Sequence, residues 1–321
     1  MLVTGSACAE QGEKRRDQAG SDSRIRRHGG PRLRGTYEVF NVAGEQTSPA
    51  AFQVQSVGVS PRPVGRGGFE VVPVCQYSQA PPADILARAL PGGWVLRDGG
   101  AIAWVSGVGL PALNGVWAEC SDPDPGAVAR LLDRVRATGL PHCLQLRPGA
   151  SPALAGLAAA RAMSPAEEIP LMVLEDPAAV TSAWRLTGLV LRELSLQQAG
   201  LHASVAAAGF GVPEELLAQL VTADMLRLPG VRCYLGQTGR RAVTSGVGVT
   251  LGDFTGVFNI ATPPAHRRHG YGAAVTARTV ADGLAAGARW SWLQSSALGY
   301  ATYARLGFRA IESWKCWTAA S

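Results

Sequence analysis

A chain of 321 residues with 47% apolar and 17% charged side chains has the composition of a folded protein, long for one average domain and comfortable for two. No run of about 18 uncharged apolar residues occurs, which argues against a membrane-spanning helix. The net charge of +6 is unevenly placed: residues 1–66 hold ten Lys and Arg against six Asp and Glu, and the remainder holds 20 against 18.

Residues 1–66 are rich in Gly, Ser, Arg and Gln without a period of 2 or 3.6, and read as a disordered basic extension. Such an arm can touch nucleic acid, although a solvated extension is the simpler reading. The apolar stretch before Cys8 is too short and lacks the charged flank of a secretory signal. Six cysteines are scattered with no C-x-x-C pair, which points to reduced thiols in a cytoplasmic protein and to no metal site.

In residues 67–175 the pattern predicts strands at 70–76, 93–97, 101–109, 115–120 and 142–146, with helices at 82–90, 126–138 and 152–162. The stretch from Leu171 to Ala183 reads as a connection. In residues 185–321 strands are expected at 188–194, 231–236, 241–250, 255–262, 290–294 and 308–317, and helices at 197–208, 213–222, 270–286 and 297–306. Consecutive strands followed by a strand, helix, strand crossover imply an α/β protein with a mixed, largely antiparallel sheet flanked by helices.

The two stretches repeat one another. Ser106-Gly-Val-Gly109 precedes Gly115-Val-Trp117, and 139 residues later Ser245-Gly-Val-Gly248 precedes Gly256-Val-Phe258. Each set follows a Pro-Gly, at Pro91 and at Pro229, and the shared order argues for tandem duplication.

Between the strand at 255–262 and the helix at 270–286 lies Pro263-Pro264-Ala-His-Arg267-Arg268-His269-Gly270-Tyr271-Gly272-Ala273. A helix N-terminus leaves about four amides unpaired and carries roughly half a positive charge, so a diphosphate docked there gains hydrogen bonds and dipole attraction. Gly270 and Gly272 carry no Cβ to hold an anion off the main chain. The spacing matches neither G-x-G-x-x-G nor the nucleotide-triphosphatase loop, so a different phosphate-bearing cofactor is indicated. The corresponding place in the first half, after Cys120, reads Ser-Asp-Pro-Asp-Pro; Asp122 and Asp124 would repel a diphosphate there.

These residues resemble the GNAT superfamily of acyl-CoA-dependent N-acyltransferases, whose hallmark is Gln or Arg, two residues, Gly, one residue, then Gly or Ala. Arg267 to Gly272 fill it, and Ser295-Ser-Ala-Leu-Gly-Tyr-Ala-Thr-Tyr303-Ala-Arg-Leu-Gly307-Phe308 looks like the second family signature. The resemblance covers 185–318 and, with the repeat, implies a tandem of two GNAT-like domains, the first degenerate. It further implies that strands 255–262 and 290–294 run parallel and splay, and that backbone groups of Ile260, Ala261 and Thr262 pair with a pantetheine arm. Acetyl-CoA, or another acyl-CoA, is then held by Arg267, Arg268, His269, Gly270, Tyr271, Gly272, Ala273 and Ser296, and the acyl group goes to a small-molecule or protein amine by direct attack. Tyr303 is the expected general acid. The strand offers no Asp or Glu as base, which leaves Asp253, or water held by Asn259 and Ser296. A non-catalytic acyl-CoA sensor and an acyltransferase using the basic arm on nucleic acid are the competing readings. Two like domains in one chain take the place of a homodimer, so a monomer is expected.

Overall fold

The computed structural model describes residues 80–180, 183 and 185–320; the expected strand at 70–76 and the basic extension lie outside them. Twelve strands join in one mixed sheet. In the first half, α1 (Ala80–Ala89) leads into the hairpin of β1 (Trp94–Asp98) and β2 (Ala101–Val105), then β3 (Asn114–Ala118), α2 (Pro125–Arg136), β4 (His142–Leu146), α3 (Pro152–Ala160), the short β5 (Ser164–Pro165) and β6 (Ile169–Leu174). In the second half come β7 (Leu189–Glu193), α4 (Ala199–Phe210), α5 (Glu214–Ala218), α6 (Ala223–Arg227), β8 (Val231–Thr238), β9 (Arg241–Leu251) and β10 (Phe254–Ala261). They are followed by α7 (Tyr271–Ala285), β11 (Trp290–Gln294), α8 (Ala297–Arg305) and β12 (Arg309–Ala319). The expected helix at 213–222 is shorter, with α5 ending at Ala218, and α6 starts separately behind Thr222, which caps it by accepting from the Met225 N–H at 3.1 Å.

Each half contains the same unit: an antiparallel pair, a helical crossover, then a parallel strand. β2 and β3 are antiparallel, and β3 runs parallel to β4 across α2; β9 and β10 are antiparallel, and β10 runs parallel to β11 across α7.

Residues 171–174 are not a connection. They belong to β6, a central strand with β11 on one side and β12 on the other. The apolar run Ile169–Leu174 earns that place: five of its six residues are buried. The last strand of each half therefore completes the sheet of the other. β6 pairs with β11, while β12 uses residues 309–314 against β6 and 315–319 against β4. A buried ion pair marks this junction. Arg147, just past β4, holds Glu312 of β12 at 2.6 Å and 3.1 Å, donates to the Glu119 carbonyl at 3.0 Å, and lies 5.8 Å from the ring of Trp314.

The shared Ser-Gly-Val-Gly blocks sit six and five residues past the tight turns at 99–100 and 239–240 and take different paths. Ser245–Gly248 continue β9, whereas the first half leaves the sheet at Ser106 and returns at Asn114. The cause is the fully buried Asn114. Its Oδ1 accepts from the Ser106 N–H at 3.0 Å, and its Nδ2 donates to the carbonyls of Val108 at 2.7 Å and Leu110 at 3.0 Å. Gly107 (φ 83°) passes so close to the Pro91 carbonyl that a Cβ there would lie 2.7 Å from the oxygen. The loop carries Ala112 and Leu113 towards the second half.

The main core joins the halves. Trp104, Trp117 and Cys143 of the first sheet face pack with Val247, Val249 and Trp292 of the second, under α1 and α4. A second core lies beneath α2 and α3 and a third beneath α7 and α8.

Candidate active site

β10 decides the geometry. Its pairing with β11 covers only Phe254 to Gly256, opposite Trp290 to Trp292, and the two parallel strands then part. The pairing with β9 shifts register between Phe258 and Ala261, and Asn259 adopts φ 50°. Such a bulge sharpens the local twist and turns β10 away from β11, leaving a wedge along Val257–Ala261. In the first half β3 ends one residue after its last pairing with β4, so no comparable wedge forms there.

After β10 the chain passes Pro263 and a single 3-10 turn, Pro264–His266. Arg268 (φ 64°) and Gly270 (φ 80°) are both left-handed, and Gly270 caps α7. Glycine takes that conformation at no steric cost, and a Cβ would add 1–2 kcal/mol of strain. Among the described residues, no protein acceptor takes the backbone N–H of Arg268, His269, Gly270, Tyr271, Gly272 or Ala273; the first helical bond is from Ala274 to the Gly270 carbonyl at 2.9 Å. Six consecutive unpaired donors at the positive end of a 15-residue helix form an anion cradle. In the first half the equivalent cradle is closed by the chain itself: the Asp124 carboxylate accepts from the Ala127 N–H at 2.7 Å.

The side chains near the cradle divide. Arg267 turns inward, donating to the carbonyls of Thr262 at 3.2 Å and Gly209 at 3.0 Å, and so ties the end of α4 to the end of β10. Its guanidinium is a strut of the turn, with Arg268 the exposed cation beside it. His269 bonds the Arg267 carbonyl at 2.7 Å and stacks on Tyr271 at 5.4 Å. Along the wedge, the Ala261 carbonyl accepts from Thr244 at 2.9 Å, and Ile260 packs on the third core. Ser296 caps α8, accepting from the Gly299 N–H at 3.2 Å.

Tyr303, half-buried on α8, packs on the same core as Ile260 and Ala273, with its ring edge-on to Phe308 at 6.1 Å. Burial pushes its phenol above the ordinary value of 10, so the hydroxyl keeps its proton across the physiological range. Asp253 is not brought to this place. It lies in the exposed turn before β10, its carbonyl accepting from Arg289 N at 2.6 Å, and six residues of extended strand, about 20 Å, separate it from Asn259.

On the other face of the wedge, Asn259 and Phe258 open into a pocket of about 70 Å³ shared by both halves. Trp104, Trp117, Leu113 and Gln145 come from the first half and Gln294 from the end of β11. Gln294 donates to Gln145 Oε1 at 3.1 Å, bridging the halves. The composition hints at these residues only weakly: Gln145 in His142-Cys-Leu-Gln-Leu146 and Gln294 in Trp290-Ser-Trp-Leu-Gln294 are amides in otherwise apolar strands. Trp314 lies elsewhere, its indole N–H donating to Glu312 at 2.8 Å.

No family model matches the chain, and no curated protein matches it. Solved structures do. A GCN5-related N-acetyltransferase from Kribbella flavida is 18% identical, with 78% of this chain and 97% of that one covered and a TM-score of 0.57. A functionally unknown conserved protein from Staphylococcus epidermidis is 11% identical, covering 71% and 94%, with a TM-score of 0.56. This chain has the GNAT fold. At these identities the likeness is one of fold, and the wedge and unpaired amides of the second half rest on the geometry given above.

Proposed function

We propose that the second half binds an acyl-CoA and transfers its acyl group, acetyl in the simplest case, to an amine by direct attack. The observation that carries this reading is the parting of β10 from β11 beside six unpaired amides, a slot and an anion cradle in sequence. The cradle would take the diphosphate through the N–H groups of residues 268–273, with Arg268 and His269 beside it. The wedge would take the pantetheine arm along Ile260, Ala261 and Thr262. The co-substrate supplies an activated thioester. A neutral amine attacks its carbonyl carbon, backbone N–H groups of β10 stabilise the oxyanion, and Tyr303 protonates the departing thiolate. Asn259 at the bulge lies where the acyl group would end, and Ser296 holds the start of α8 and so the position of Tyr303.

A second reading is an acyl-CoA sensor without turnover, favoured by one observation: Asp253, the sequence candidate for the base, lies at the far end of β10. Calorimetric titration of acetyl-CoA into the native chain and into Gly270→Glu, with thiol release followed in parallel, separates the two. Binding that is lost in the variant, together with amine-dependent thiol release, is the expected result. Binding without release for any amine selects the sensor, and no binding to the native chain ends both readings.

A further inference from the structure

The pocket under Asn259 has an unusual lining for a site that must handle an amine. Among the described residues, none of those lining it is Asp, Glu, His, Lys or Arg. Its walls are Trp104, Trp117, Leu86, Leu113, Met225 and Phe258, and its polar groups are three amides, Asn259, Gln145 and Gln294. Gln145 Oε1 is occupied by Gln294, but the Oε1 of half-buried Gln294 and the amide of half-buried Asn259 have no hydrogen-bond partner among the described residues. The indole N–H of Trp104 (5% exposed) is also buried without an acceptor among the described residues. Buried polar groups left unpaired call for an explanation, and packing alone does not give one.

An ammonium ion placed here sheds water against apolar walls and meets no carboxylate among the described residues to offset that desolvation. A neutral amine meets two amide oxygens that accept its N–H groups and leave its lone pair free. We infer that the acceptor of this protein is a weakly basic amine, uncharged at neutral pH and carried on a flat apolar body, and that the first half of the chain supplies the wall that selects it. This rests on the acyl-transfer reading above. It removes the need for a base: the amine arrives with its lone pair available. The nitrogen attacks the thioester carbonyl, the C–N bond forms, the C–S bond breaks, and sulfur takes the Tyr303 proton. The surplus N–H proton leaves to water, from which Tyr303 is reprotonated, giving an amide and a free thiol. The tilted pair of Trp104 and Trp117, 5.1 Å between centroids, suits a flat body.

The test uses the full chain, acetyl-CoA and three acceptors: 4-methylaniline, neutral at neutral pH; 4-methylbenzylamine, similar in shape but cationic; and putrescine, cationic with no ring. The expected kcat/KM for 4-methylaniline exceeds that of either cation by about tenfold or more. Leu113→Phe and the near-isosteric Gln294→Met are expected to raise its KM by about tenfold while acetyl-CoA affinity stays within about twofold. Absence of acetyl-CoA binding to the native chain overturns the acyl-transfer reading itself. Acetyl-CoA binding with no turnover of 4-methylaniline, with equal or better turnover of the cations, or with both variants unaltered overturns the present inference alone.

Discussion

At the scale of single residues, the cradle was legible because its determinants are local. Gly270 and the helix start it caps are fixed by neighbours in the chain, and the hallmark spacing reports that geometry. Arg267 shows the limit: the pattern places an arginine there, but only the fold reveals that its guanidinium bonds Thr262 and Gly209. Tyr303→Phe is expected to lower kcat about a hundredfold or more with little change in acetyl-CoA affinity, measured by thiol release and calorimetry. Its raised phenol also has a stability consequence. Above about pH 10 the unfolded chain gives up this proton and the folded chain keeps it, so stability falls as pH rises past that point. His202 works in the opposite range. Buried in α4, its pKa is lowered to about 4, mainly by loss of solvent, with the Gly246 backbone opposing the shift to a smaller extent. Between about pH 6.5 and 4 the unfolded chain takes up a proton that the folded chain refuses, so stability is present above 6.5 and drops by about 3 kcal/mol on acidification. Chemical denaturation across that range is expected to show this slope in the native chain and a flatter one in His202→Leu.

At the scale of elements, most strands and helices were legible from periodicity, and β4 and β11 have the predicted bounds. β6 was not, because a short apolar run beside Glu175 and Asp176 has no local mark separating a strand from a connection; its partners are distant in sequence. β12 owes its place to the same exchange, and the Arg147–Glu312 pair secures it. Arg147→Met leaves Glu312 buried without its charge partner and is expected to cost about 3–5 kcal/mol in urea unfolding, while Arg147→Met with Glu312→Leu recovers much of that loss. The loop 106–113 is an element-scale decision by one side chain. Asn114→Ala removes the bonds to Ser106, Val108 and Leu110, and the expected outcome is a raised KM for the acceptor with acetyl-CoA affinity retained.

At the scale of the whole molecule, the exchange of β6 and β12 makes the halves interdependent. Residues 185–320 alone lack β6, so β11 and the first part of β12 lose their shared partner and present open strand edges. That fragment is expected to aggregate or unfold without cooperativity. A chain nicked by protease between 175 and 188 is expected to stay associated in size-exclusion chromatography.

By itself the sequence determined the folded composition, the repeat, the mixed sheet and the glycine turn that starts α7, all of which depend on composition or on residues close together in the chain. Only the tertiary structure decided that β6 and β12 change places, that β10 parts from β11 at a bulge, and that the first half walls the pocket beneath Asn259. The exchange and the pocket wall arise where segments more than 100 residues apart meet, as Gln145 meets Gln294 and Arg147 meets Glu312; the bulge arises where β9 and β11 hold the two sides of β10.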